Sequence, residues 1–106
     1  MKQTLKFEVE LDENHLPLNI KMYAGDNSNE ENIKSLMVSA WDSKNKETLR
    51  IDLWTKDMPV NEMFIMCHQT MMGIATTIEK ATGNEKLSAG LRDYCKSFSK
   101  EMQVKR

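Results

Sequence analysis

The chain of 106 residues carries 15 Lys and Arg against 16 Asp and Glu, for a formal net charge of -1, and 40% of it is hydrophobic. This composition is that of a globular protein, and the length has room for one hydrophobic core, which predicts a single domain over residues 1–106. Because basic residues are interleaved with acidic ones, nucleic-acid binding and a basic membrane-surface helix are disfavoured as functions.

The sequence also lacks the apolar segments that membrane insertion and export require. No stretch approaches the roughly 18 consecutive apolar residues of a membrane span, and residues 1–6 contain no apolar run of signal-peptide length. We therefore expect a cytoplasmic protein without membrane insertion.

Alternating hydrophobicity predicts an antiparallel hairpin in the first part of the chain. Apolar and charged residues alternate over residues 4–12, and the alternation resumes over residues 18–24 after a segment rich in turn formers. Residues 25–32 then gather turn formers and acids without an apolar side chain. This composition predicts an exposed loop between the hairpin and the next element.

Residues 31–42 fit two periods at once, because a helical stripe and a strand alternation both match them. A polar turn at residues 43–46, followed by alternating Leu49, Ile51 and Leu53, favours a second hairpin over a helix. A short helix at about residues 31–42, with only three strands in the fold, stays open as the alternative.

Two helices are predicted in the last part of the chain. Pro59 suits a first helical turn, apolar residues follow at spacings of three and four, and Gly83 supplies a left-handed stop, which predicts a helix of about 23 residues. Asn84 can cap a second helix, and the short link predicts an antiparallel helical hairpin. The predicted fold is α+β: an antiparallel sheet of about four strands, covered on one face by this hairpin.

The residue types that carry catalysis or bind metals are sparse. His15 lies in a predicted turn and His68 on the polar side of the first helix, and neither has a second ligand at metal-binding spacing. His68 is predicted to be a solvated helix residue. Cys67 and Cys95 lie among apolar neighbours, which is typical of buried reduced thiols. We expect no cofactor, metal or disulfide.

Three acids near the junction of strand and helix support an alternative, enzymatic function. Asp52, Asp57 and Glu62 lie close together in sequence, and two carboxylates in different environments can divide into acid and base. The other interpretation is structural, since Asp52 alternates outward on a strand and the other two residues favour a helix start. The structural interpretation is the stronger one.

Methionine is the most unusual component, with nine residues, several of them in the first predicted helix. Met66 and Met72 point away from the predicted core stripe that includes Ile74, so we predict that they are exposed and contact a protein partner or a second copy. The alternative is that they widen the core. Trp41 and Trp54 are likewise predicted as protein-binding residues if exposed, and as core residues otherwise.

The run Leu-Arg-Ile-Asp-Leu-Trp-Thr-Lys-Asp-Met-Pro-Val at residues 49–60 resembles the GldC family of gliding-motility proteins. The resemblance extends to residues 5–14, 62–63, 68–70, 81–82, 92–95 and 98. It implies a non-enzymatic accessory protein that supports surface gliding and its associated secretion apparatus in Bacteroidetes-type bacteria, with no known catalytic or ligand residues. The layout of strands followed by helices is similar to SecB-type export chaperones at the level of fold, which suggests a chaperone-like role.

Overall fold

The computed structural model describes residues 1–25 and 30–104 and confirms the α+β class. The elements are β1 (Leu5–Leu11), β2 (Pro17–Ala24), β3 (Glu30–Ile33), β4 (Ser35–Asp42), β5 (Glu47–Trp54), α1 (Val60–Thr82) and α2 (Glu85–Val104). The chain divides into two compact units, Met1–Met58 with the strands and Pro59–Arg106 with the helices. The predicted single domain, and the predicted covering of a sheet by the helices, stay predictions.

Strands β1, β2 and β3 form one antiparallel sheet in that order, and the predicted first hairpin is confirmed. The predicted exposed loop is wrong for residues 30–32, which belong to β3, whereas residues 26–29 lie outside the described residues. The acids of β3 pair with β2 across the sheet. Tyr23 Oη donates to Glu30 Oε2 at 2.9 Å, and Lys21 Nζ lies 3.7 Å from the same carboxylate.

Strands β4 and β5 form a separate two-stranded antiparallel sheet, so the predicted second hairpin is confirmed and the alternative helix at residues 31–42 is wrong. The turn is stabilised by Asp42, whose carboxylate accepts the Lys44 N–H at 3.0 Å and Asn45 Nδ2 at 2.9 Å. The prediction of one continuous sheet is also wrong. Lys34 alone separates β3 from β4, and a hairpin turn needs at least two residues, so the chain changes sheets there.

The helices form the predicted antiparallel hairpin, and α1 has 23 residues as expected. Gly83 ends α1 with φ 73°, and Asn84 caps α2 by accepting the Leu87 N–H at 3.0 Å. The helices approach closely at two small, fully buried residues, Ala75 and Ser88, where Ser88 Oγ donates to the Ala75 carbonyl at 3.0 Å. Within the described residues, neither helix combines the length and apolar composition needed to cross a membrane.

Candidate functional site

The hairpin of β4 and β5, called the ribbon below, has three successive apolar cross-strand pairs on one face. They are Leu36 with Leu53, Val38 with Ile51, and Ala40 with Leu49, and the last pair on this face, next to the turn, is acidic: Asp42 with Glu47. We call the six apolar residues the apolar ribbon face. Leu49 and Ile51, near the centre of β5, are 53% and 55% exposed. Aliphatic side chains exposed together in this way are typical of protein contact surfaces.

The other face of the ribbon carries both tryptophans that the sequence singled out. Trp41 is 62% exposed and lies opposite Thr48, whereas Trp54 is 57% exposed and lies opposite Ser35. Trp54 lies six residue steps after Thr48 on β5, which corresponds to about 20 Å along the strand. Both tryptophans are therefore exposed on one face, but a single chain does not bring them together.

An ion pair occupies the middle of this tryptophan face. Arg50 Nε lies 3.2 Å from Asp52 Oδ2, and Arg50 Nη2 lies 2.5 Å from Asp52 Oδ1. Arg50 Nη1 also donates to Ser39 Oγ. The hydrogen bond to the Asp52 carboxylate raises the pKa of Arg50. Each charge on this face is thus compensated by its neighbour two residues along the strand.

The outer edge of β5 is open. On one side β5 pairs with β4, and on the other it pairs with no described strand. A cavity of about 430 Å³, the Trp54 groove, is lined by Leu16, Pro17, Asp52, Leu53, Trp54 and Lys56. The groove ends where the Lys56 N–H donates to the Pro17 carbonyl at 3.1 Å. The edge is therefore accessible up to Trp54 and closed immediately after it.

In the helical unit, Met72 is exposed and Met66 is half-buried. Met72 lines a second cavity, of about 320 Å³, together with residues of α2 that include Arg92 and Cys95. The prediction that Ile74 lies in the core is wrong, because Ile74 is exposed and the next residue, Ala75, is fully buried. Phe64, Met71 and Ile78 are half-buried on the same side of α1 as Ala75, so Ile74 lies at the edge of the buried face. That either methionine binds a partner stays a prediction.

The prediction that His68 is a solvated helix residue is wrong. The His68 ring is half-buried and stacks on Phe98, with ring centroids 6.3 Å apart and an interplanar angle of 24°. Phe64 meets the same Phe98 ring edge-on at 6.4 Å. Cys95 is buried and Cys67 half-buried, and both are free thiols. These side chains pack the open end of the helical hairpin.

The model of one protein family, described as gliding motility-associated protein GldC-like, matches residues 17–104. The chain belongs to the GldC-like family. The match includes the whole ribbon and both helices, and confirms the resemblance based on the run at residues 49–60. No match was found among curated proteins or solved structures. The resemblance of residues 5–14 lies outside the matched region, and the bacterial group stays a prediction.

Two of the three acids of the enzymatic alternative, Asp52 and Asp57, are held in structural contacts in this GldC-like chain. Asp57 accepts Lys34 Nζ at 2.6 Å and Thr55 Oγ1 at 2.7 Å, and the Lys34 hydrogen bond lowers the pKa of Asp57. A general acid at neutral pH needs the opposite shift. Asp52 is paired with Arg50, and Glu62 lies exposed in the first turn of α1. Among the described residues, no three potential ligands cluster to hold a metal ion.

An ion pair joins the first hairpin to the segment after β5. Lys56 Nζ lies 2.8 Å from Asp12 Oδ2, and the Asp12 side chain is only 14% exposed. The other Asp12 oxygen accepts the N–H groups of Asn14 at 2.8 Å and Leu16 at 2.9 Å. The Lys56 hydrogen bond, followed by that of Leu16, lowers the pKa of Asp12. These contacts position the Trp54 groove, since Leu16 and Lys56 both line it.

The Asp12 contacts predict a loss of stability in acid. Because the folded-state pKa of Asp12 lies below its unfolded value of about 3.9, its stabilisation is complete above roughly pH 4 and disappears as the pH falls through the folded-state pKa. Asp12→Asn should therefore flatten the acid side of the stability profile, measured as the urea midpoint at a series of pH values. Exposed Glu13→Gln is the control, and an unchanged acid profile in Asp12→Asn would contradict the account.

Proposed function

We propose that this GldC-like protein is a non-enzymatic accessory factor of gliding motility, and that it works by binding another protein on the apolar ribbon face. The family supports the link to gliding. The exposure of Leu49 and Ile51 at the centre of a strand supports binding as the mode of action. An isolated two-stranded ribbon is marginal in water, so association that buries this face also stabilises it.

The chemistry of the ribbon indicates what kind of segment it binds. The apolar ribbon face offers leucine, isoleucine, valine and alanine side chains, with the acidic pair Asp42 and Glu47 at its turn end, which suits an extended segment or a flat surface rich in aliphatic residues. The apolar part of this surface selects by shape and apolarity, and binding of this kind is chaperone-like. Trp41 and Trp54 add large exposed anchors on the opposite face.

The site of action in this proposal is the cytoplasm, where the protein serves the gliding machinery and its associated secretion apparatus. The family supports the gliding part, and the resemblance described above motivates the secretion part. The chain would hold an apolar segment of a machinery protein before or during its assembly. Fractionation of gliding cells, followed by detection of the protein in soluble cytoplasm or in membranes, tests the location.

Loss of gliding is the expected result when the apolar ribbon face is made charged. We expect that Leu49→Glu combined with Ile51→Glu abolishes surface spreading in a gliding bacterium whose own copy of the gene is deleted, because burying a carboxylate in an apolar contact is costly. Leu87→Glu is the matched control, since Leu87 is comparably exposed but lies on α2. Normal spreading by the ribbon variant, at wild-type protein abundance, would refute the proposal.

A further inference from the structure

We propose that β5 pairs antiparallel with β5 of a second copy of this chain, with Ile51 on the two-fold axis. The two ribbons would then join into a continuous four-stranded sheet in the order β4, β5, β5, β4. This proposal does not depend on the proposed function, because it concerns the purified chain alone.

The backbone of β5 determines which amides face the open edge. The Thr55 N–H donates to the Lys34 carbonyl at 2.8 Å, which makes these residues a hydrogen-bonded pair at the end of the ladder. Hydrogen-bonded and non-hydrogen-bonded pairs alternate along an antiparallel ladder. The backbone N–H and C=O groups of the odd-numbered residues of β5 therefore bond to β4, and those of the even-numbered residues point to the open edge. The Lys56 N–H follows this alternation, because it donates to the Pro17 carbonyl, on the side away from β4. The outward residues of β5 are Thr48, Arg50, Asp52 and Trp54.

This edge has the features of a pairing edge. Edge strands that stay unpaired are commonly protected by proline, a bulge or unbalanced charge. The eight residues of β5 contain no proline, their register with β4 is regular, and the charges of Arg50 and Asp52 compensate each other. The Trp54 groove leaves space beside the last residues of the strand. Within the strand unit, an incoming strand therefore meets no unbalanced charge, and the edge is open to it up to Trp54.

Charge decides the register and identifies the occupant as a second copy. If Arg50 lay on the two-fold axis, it would lie opposite Arg50 of the second copy. If Asp52 lay on the axis, it would lie opposite Asp52 of the second copy, and like charges directly opposite each other destabilise a sheet. Centring it on Ile51 places Arg50 opposite Asp52 of the second copy, twice, as hydrogen-bonded pairs of outward residues. The same register places Leu49 opposite Leu53 and keeps the apolar faces of both ribbons on one side. The sequence of β5 is thus complementary to itself.

The same register accounts for the two exposed tryptophans. Trp54 of the second copy falls opposite Thr48, and Thr48 already lies opposite Trp41 on the ribbon. The two tryptophans then lie two strand spacings apart, about 10 Å, in one row across the sheet. Trp41 and Trp54 are about 20 Å apart within one chain. In the dimer, Trp41 of each copy would lie in the same row as Trp54 of the other copy, which gives two such pairs.

Charge variants test the register. Arg50→Asp and Asp52→Arg each place like charges opposite one another in their own homodimers, so we expect the self-association constant of each to fall about tenfold or more by sedimentation equilibrium. An equimolar mixture of these two single variants should recover association, because their charges are complementary, and so should the double variant Arg50→Asp/Asp52→Arg. A wild-type chain that is monomeric at every concentration would overturn the proposal. So would single variants that associate normally, as a dimer through β1 predicts, or a mixture that fails to recover.

Disulfide trapping gives a second readout that does not depend on the charge variants folding well. At the axis, Ile51 of the two copies forms a non-hydrogen-bonded pair with Cα atoms about 4.5 Å apart, within disulfide range. Ile51→Cys should therefore form a dimer linked at position 51, identified by peptide mass spectrometry. Leu49→Cys is the matched control, since its two copies would be about 13 Å apart. Ile51→Cys that crosslinks no faster than Leu49→Cys overturns the proposal.

Discussion

Ile20→Ala is expected to lower the free energy of unfolding by about 2–5 kcal/mol, since it removes a fully buried aliphatic side chain and leaves a cavity. Ile20 lies on the central strand β2, opposite Val9 on one side and Ile33 on the other, so little can relax into the space. The measurement is urea unfolding followed by circular dichroism.

Leu18→Ala is the matched control for this substitution. Leu18 lies two residues earlier on the same side of β2, but about half of its side chain is exposed, so the loss should be about 1 kcal/mol. Equal losses for the two variants would show that the core of the strand unit is not centred on Ile20.

Ala75→Leu is expected to destabilise the helical unit by about 1–3 kcal/mol, because the added methylenes have no space at a fully buried helix contact. Forcing the helices apart would also break the hydrogen bond from Ser88 to the Ala75 carbonyl and disturb Arg92, which bonds Ser88 at 2.7 Å. For a domain of about 100 residues this corresponds to a fall in Tm of roughly 5–20 °C, measured by thermal unfolding.

Ala81→Leu makes the same chemical change on the same helix at an exposed position and should leave Tm nearly unchanged. A comparable fall in both variants would contradict close packing at Ala75. If residues 1–106 unfold as the single domain that the sequence predicts, Ala75→Leu and Ile20→Ala will shift the same transition.

Local patterns were enough to predict the hairpins and the helices, because their causes are local. The alternation around Leu49, the turn after Asp42, and the stop and cap at Gly83 and Asn84 each act within a few residues. Family membership also followed from a contiguous run, residues 49–60, that needs no knowledge of the fold.

The features that sequence missed depend on contacts between distant residues. The acids of β3 suggested a loop, and only the contact of Glu30 with Tyr23 across the sheet explains a strand there. On α1, the pattern favoured the large Ile74 as the core residue, whereas the close approach of the helices selects the smaller Ala75.

The candidate site was missed for a related reason. Alternation shows that Leu49, Ile51 and Leu53 share a face, but it does not show whether another element covers that face. The exposure of Leu49 and Ile51 is a property of the whole packing and appears only in the structure. A strand whose apolar side remains exposed looks, in sequence, the same as a strand of the core.

Site-specific photocrosslinking in living cells tests the central claim, that the ribbon binds a protein of the gliding machinery. A benzophenone side chain would replace Leu49 or, as the control, Leu87, in gliding cells that then receive light. The account predicts an adduct heavier than two copies of the 12.3 kDa chain at position 49 and none at position 87. Adducts of the same pattern at both positions, or only a crosslinked second copy at position 49, would contradict it.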